Sequence, residues 1–83
     1  MIKGMCLTLT PNVKTLLWKS TKNDTMIGLK ACITGVRIGG ADLTFDNGCK
    51  ILSQKCYDFK MANNDEIYAI FDSKVMMNIL VQG

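Results

Sequence analysis

Strand signals, either alternation of apolar and small or polar residues or runs of β-branched and aromatic residues between turn residues, recur along this chain, and helical spacing is nearly absent. Such alternation marks strands that bury one face. Met5-Cys6-Leu7-Thr8-Leu9-Thr10 is the first segment of this kind, and Pro11-Asn12 ends it, because proline has no amide proton to give to a ladder. Lys14-Thr15-Leu16-Leu17-Trp18-Lys19 follows as a second strand, with Trp18 expected to be at least partly buried. The polar run from Ser20 to Thr25 reads as an exposed loop. A third strand is predicted from Met26 to Arg37, bent or bulged at Gly28 and Gly35, where glycine commonly marks such a bend.

Gly39-Gly40 predicts a turn. After it, Leu43-Thr44-Phe45 and Cys49-Lys50-Ile51-Leu52 flank Asp46-Asn47-Gly48. Asn-Gly between apolar segments predicts a tight type I′ hairpin, which needs positive φ at both central positions. Tyr57 to Met61 alternates again, Asn63-Asn64-Asp65 is the next turn, and Glu66 to Phe71 reads as the next strand. In the tail, Asp72-Ser73 can cap a short helix through Val75-Met76-Met77, with Ile79-Leu80-Val81 as a closing strand. About seven short strands without a long helix predict an all-β fold. The expected form is a small, partly open β-barrel or sandwich with at most one short helical turn near the C-terminus.

The chain has 83 residues, which predicts a single domain over residues 1–83. At 48% hydrophobic and 20% charged it is too apolar for intrinsic disorder, and the apolar surplus over what a small core can hide points to an interface. Net charge is +3, but the ten basic residues are scattered and only Arg37 is an arginine. Nucleic-acid binders cluster such residues among stacking aromatics, so the pattern argues for a solvated surface and against a nucleic-acid partner. No apolar stretch approaches the roughly 20 residues that span a bilayer. The residues from Met1 to Leu7 also lack the apolar region of a signal peptide. The expected location is cytoplasmic, with no membrane partner.

Candidate chemistry is sparse. Cysteines stand at 6, 32, 49 and 56 with no C-x-x-C pair, and the chain has no histidine to complete a mixed zinc site. They read as the free thiols of a reducing compartment, and neither metal nor cofactor is expected. Acid–base and nucleophilic catalysis draws on side chains that are scarce here: no histidine and a single glutamate, Glu66. The adjacent Asp65 and Glu66 would point to opposite faces of a strand, and no glycine-rich phosphate cradle is present. The expectation is a binding protein rather than an enzyme.

Several segments together resemble the GroES-type co-chaperonins. Glu66-Ile67-Tyr68-Ala69-Ile70-Phe71-Asp72-Ser73-Lys74-Val75-Met76-Met77-Asn78-Ile79 is similar to the family's closing segment, and Asn63-Asn64-Asp65 to the acidic turn before it. Arg37-Ile38-Gly39-Gly40-Ala41-Asp42-Leu43-Thr44-Phe45 looks like the family's basic-apolar-Gly-Asp stretch. Thr10-Pro11, Val13 and Leu16-Leu17-Trp18-Lys19 are similar to its opening proline and first barrel strand, and Ala31-Cys32-Ile33-Thr34-Gly35-Val36 to its Gly-x-V-x-x-V strand. The family's long mobile loop shrinks here to Ser20 through Gly28. This suits a short, divergent, phage-encoded relative.

The resemblance implies a GroES-like ring subunit, heptameric in the family, that caps a chaperonin and assists protein folding. It implies that Met26, Ile27 and Leu29 form the apolar docking tip. It also implies pairing of terminal strands between neighbouring subunits through Met5, Leu7 and Leu9 on one side and Ile79, Leu80 and Val81 on the other. Pairing of those strands within one subunit is the alternative. The composition, with its six methionines, equally suits a small viral structural or accessory protein, a capsid-decorating or host-inhibiting β-domain of virion or host cytoplasm, acting by protein–protein binding.

Overall fold

A computed structural model describes residues 2–82. They form eight strands: β1 (Ile2–Leu9), β2 (Thr15–Lys19), β3 (Thr25–Ala31), β4 (Arg37–Gly39), β5 (Cys49–Lys50), β6 (Tyr57–Met61), β7 (Glu66–Ile70) and β8 (Val75–Gln82). The fold is all-β, with no helix among the described residues. The strands make two four-stranded sheets, ordered β1-β8-β3-β6 and β2-β7-β4-β5. Every pairing between strands is antiparallel.

Period-two alternation decides which side chains meet between the sheets. On β8, Val75, Met77, Ile79 and Val81 point inward, while Met76, Asn78, Leu80 and Gln82 point out. On β3, Thr25, Ile27, Leu29 and Ala31 point inward. The register aligns these positions with the inward residues of β1: Met5 lies opposite Ile79, Leu7 opposite Met77 and Leu9 opposite Val75. Leu17, Ile38, Ile67 and Ala69 of the second sheet close the core from the other side. Trp18 packs against this core half-buried, with the Lys3 ammonium 5.9 Å from its ring centroid.

Four local expectations are corrected. The tail is one unbroken strand, not a helix followed by a strand. Helical spacing from Val75 would collect Asn78, Ile79 and Gln82 on one face, which is half polar, whereas alternate positions are all apolar. The predicted strand from Met26 to Arg37 is divided by a turn, where Gly35 takes φ 118°. Gly28 does not bend β3, since it is paired to Leu80 on one side and Asp58 on the other.

The Asn47-Gly48 hairpin is also absent. Neither residue has positive φ, and Leu43-Thr44-Phe45 is not a strand. The hairpin joins β4 to β5 through a loop of residues 40–48 instead. Asn47 explains the difference, because its side chain binds backbone within the loop: Oδ1 accepts from Thr44 N–H at 2.8 Å and Nδ2 donates to the Asp42 carbonyl at 2.9 Å. A local side-chain bond of this kind competes with the ladder a hairpin would need. Leu43 is buried nonetheless, folded against Gly39 on the outer side of β4.

Candidate functional site

The residues expected to form a docking tip are separated by the pleat of β3. Ile27 and Leu29 are each 1% exposed and belong to the core, whereas Met26 lies on the opposite face at 39% exposure. The loop before them is fastened. Ser20 is buried, and its hydroxyl donates to the Lys22 carbonyl at 2.6 Å and lies 3.1 Å from the Thr25 hydroxyl. Ser20 also exchanges backbone bonds with the turn at residues 63–65: its N–H donates to the Asp65 carbonyl, and Asn64 N–H donates to its own carbonyl, both at 2.8 Å. Asn23 Oδ1 accepts from Asn63 N–H at 2.9 Å, and Lys60 pairs with Asp24 at 3.1 Å on the surface. Ile27 and Leu29 are therefore corrected from contact residues to core residues. Of the three, Met26 alone is free to touch a partner.

The six residues expected at a subunit interface divide in the same way. Leu9, Ile79 and Val81 are buried in the core, Met5 and Leu7 are half-buried against it, and Leu80 faces outward at 50% exposure. The terminal strands pair with each other inside the chain, from Ile2 opposite Gln82 to Leu9 opposite Val75. β8 also has β3 on its other side from Met77 to Gln82, so those ladder positions are not open to another chain.

What the pairing creates is an apolar outer face on the β1-β8-β3-β6 sheet. The outward residues of β1 are Ile2, Gly4, Cys6 and Thr8, and those of β8 are Met76, Asn78, Leu80 and Gln82. None of these side chains is charged. Ile2 is 63% exposed and Met76 51%, so with Leu80 they leave apolar side chains together on one face, and such a patch says more than any single exposed one. Charge appears only further across the sheet, at Lys30 on β3 and at Asp58 and Lys60 on β6. Leu80 stands between two glycines, Gly4 on β1 and Gly28 on β3. Their missing side chains open a groove of about 570 Å³, with Cys6, Asn78 and Asp58 also on its walls. A Cβ on Gly4 would meet nothing within 4 Å, while one on Gly28 would approach Asp58 Oδ1 to 3.1 Å.

The opposite face differs. On the β2-β7-β4-β5 sheet, Leu16, Tyr68 and Gly39 align across the outer side. Lys14 covers the Tyr68 ring at 5.0 Å and bonds the Ala41 carbonyl, so the loop of residues 40–48 is drawn over that face. Half-burial pushes the Tyr68 phenol above its ordinary value, and the Glu66 carboxylate, 3.3 Å from its hydroxyl, adds to the shift by charge and hydrogen bonding.

The groups that could carry chemistry hold the fold. Asp65 Oδ2 accepts from Ala62 N–H at 2.8 Å, and Glu66 accepts from Tyr68. All four cysteines are free and exposed, and no metal-binding group of histidine, cysteine or carboxylate side chains occurs among the described residues. The sequence reading missed the outer face, although its sign was present. Met76 and Leu80 break the polar half of the β8 alternation, which masked the period and marked the surface together. No protein-family model matches this chain, and no curated protein or solved structure matches it either.

Proposed function

We propose that this chain is a non-catalytic, protein-binding β-domain, an accessory or structural subunit that docks through the outer face of its β1-β8-β3-β6 sheet. The observation that carries the reading is the run of uncharged outward positions on β1 and β8, with Ile2, Met76 and Leu80 half or more exposed and Leu80 on the wall of the groove. Interface cores are depleted of charge and rimmed by polar groups. Here Lys30, Asp58 and Lys60 supply the rim on one side. The partner is a folded protein with an apolar patch of its own.

The test is capture from extracts of the source cells, quantified by mass spectrometry, with wild type and Leu80→Lys in parallel. Leu80 points to solvent, so the fold accepts lysine there while the centre of the patch gains a charge. A protein retained by wild type and lost by Leu80→Lys supports the reading. Equal retention by both removes this face as the docking surface.

A co-chaperonin is the narrower form of the same proposal. The all-β fold and the resemblance support it, and the buried positions of Ile27 and Leu29 weigh against it. Its test is a pull-down with a chaperonin and nucleotide, comparing wild type with Met26→Ser.

A further inference from the structure

Each of the two sheets ends in edge strands with no strand paired to their outer side among the described residues, and three of the four edges are blunted. β2 is bulged between Leu16 and Trp18 and is carried by Lys14 and Lys19 at its ends. β5 is two residues long. β6 is five residues long and bears Asp58 and Lys60. These are the ordinary devices that stop sheets from adding strands. β1 is the least protected of the four: it runs eight residues from Ile2 to Leu9, with no proline and no register shift against β8, and its one charge, Lys3, stands near the start of the strand.

We propose that the open edge of β1 pairs antiparallel with β1 of a second copy of this chain, joining two four-stranded sheets into one continuous sheet across a two-fold axis. The strand's own chemistry favours this occupant. With its charge near one end, parallel self-pairing would set Lys3 beside Lys3, whereas antiparallel pairing sends the two ammonium groups to opposite ends of the seam. Directly opposed residues of an antiparallel pair point to the same face. Residues 2, 4, 6 and 8 must therefore meet their own kind, and so must residues 3, 5, 7 and 9. Full overlap of Ile2–Leu9 would oppose even to odd positions and is excluded. The two registers nearest to it place either Cys6 or Met5 on the axis.

The pairing also extends the apolar face. The uncharged strips of β1 and β8 from each copy become neighbours, and Lys30, Asp58 and Lys60 of both copies fall to the outer margins. The inference goes beyond docking through that face, because it uses the edge and not the face. Either can fail alone.

Sedimentation and intermolecular crosslinking test it. Wild type is expected to sediment as a concentration-dependent dimer. Gly4→Lys should sediment as a monomer with an unchanged β-sheet spectrum, since a Cβ there meets nothing within 4 Å. Thr8→Lys at the other end of the edge should do the same, whereas Asn78→Lys, on the paired strand β8, should remain a dimer. With Cys32, Cys49 and Cys56 replaced by serine, mild oxidation should yield a covalent dimer through Cys6 if that residue lies on the axis. Opposed Cα atoms then stand roughly 4.5–5.5 Å apart, within disulfide reach. If Met5 lies on the axis, Met5→Cys in a background with all four cysteines replaced by serine should crosslink instead. A monomeric wild type, a heptamer, a dimer that persists in both lysine variants of β1, or crosslinking at neither position would overturn the proposal.

Discussion

At Gly48 the absence of a side chain matters for space and not for backbone angle. Its φ is not positive, but a Cβ there would stand 2.7 Å from Arg37 Cβ and from Leu43 Cδ1. Gly48→Ala should therefore destabilise the fold by about 1–3 kcal/mol, the usual cost of overpacking, read as a shift in the urea midpoint. A neutral result would mean that Leu43 can move aside. Tyr68 carries the one pKa consequence. Its raised value means that burial and the Glu66 charge favour the neutral phenol in the folded state. The associated stability is present in full below the ordinary tyrosine value of about 10 and is lost as pH rises through the raised one. Glu66→Gln should lower the Tyr68 midpoint, followed by NMR of its ring, and leave the part due to burial.

At the scale of the element, β3 tests whether alternation or the family resemblance describes Met26 and Ile27 better. Ile27→Ser removes a fully buried side chain between the sheets and leaves a hydroxyl there, and should cost about 3–5 kcal/mol. Met26→Ser, one residue earlier on the outer face, should change stability by no more than about 0.5 kcal/mol. Urea unfolding of the two variants measures both. Equal effects would mean that β3 does not separate two faces. β8 teaches the same lesson from the other end of the chain. Its inward residues are uniformly apolar, yet Met76 and Leu80 on the outward side made the run look continuous, so a short helix competed with the strand in the sequence. The uniformly apolar alternate positions favour the strand, and pairing with β1 along its whole length and with β3 from Met77 onward fixes it.

For the whole molecule, the sandwich assigns its apolar surplus to particular places. Most goes between the sheets; of the large apolar side chains left exposed, Ile2, Met76 and Leu80 lie together on β1 and β8, and Val13, Leu16, Met26, Ile33, Phe45 and Leu52 lie elsewhere. The group on β1 and β8 contributes nothing evident to the core. Leu80→Lys should accordingly keep the wild-type unfolding midpoint within about 0.5 kcal/mol while altering capture of a partner. A large loss of stability would make Leu80 a structural residue and withdraw the binding role. The edges follow the same logic: bulge, brevity and charge protect three of them, and the fourth, β1, is long, unbulged and carries a single charge.

The all-β class and the positions of β2, β6 and β7 were legible in the sequence, because short apolar, β-branched and aromatic runs between turn residues, clearest in the alternation of Phe59 with Asp58 and Lys60, are local signals. The low stock of catalytic side chains was legible as composition. The docking tip was not, because Met26, Ile27 and Leu29 are all apolar and a linear reading cannot say which of them points inward until β3 has β6 and β8 beside it. The Asn47-Gly48 turn failed for a related reason. Asn47 has two ways to satisfy backbone groups, and the choice fell to the loop that seats Leu43 on Gly39. Pairing of β1 with β8 joins residues at opposite ends of the chain, from Ile2 with Gln82 to Leu9 with Val75. Local periodicity states that each is a strand and carries no information about its neighbour. The outer face, the glycine groove and the open edge all arise from that long-range choice, so they belong to the tertiary structure, while the strands that compose them belong to the sequence.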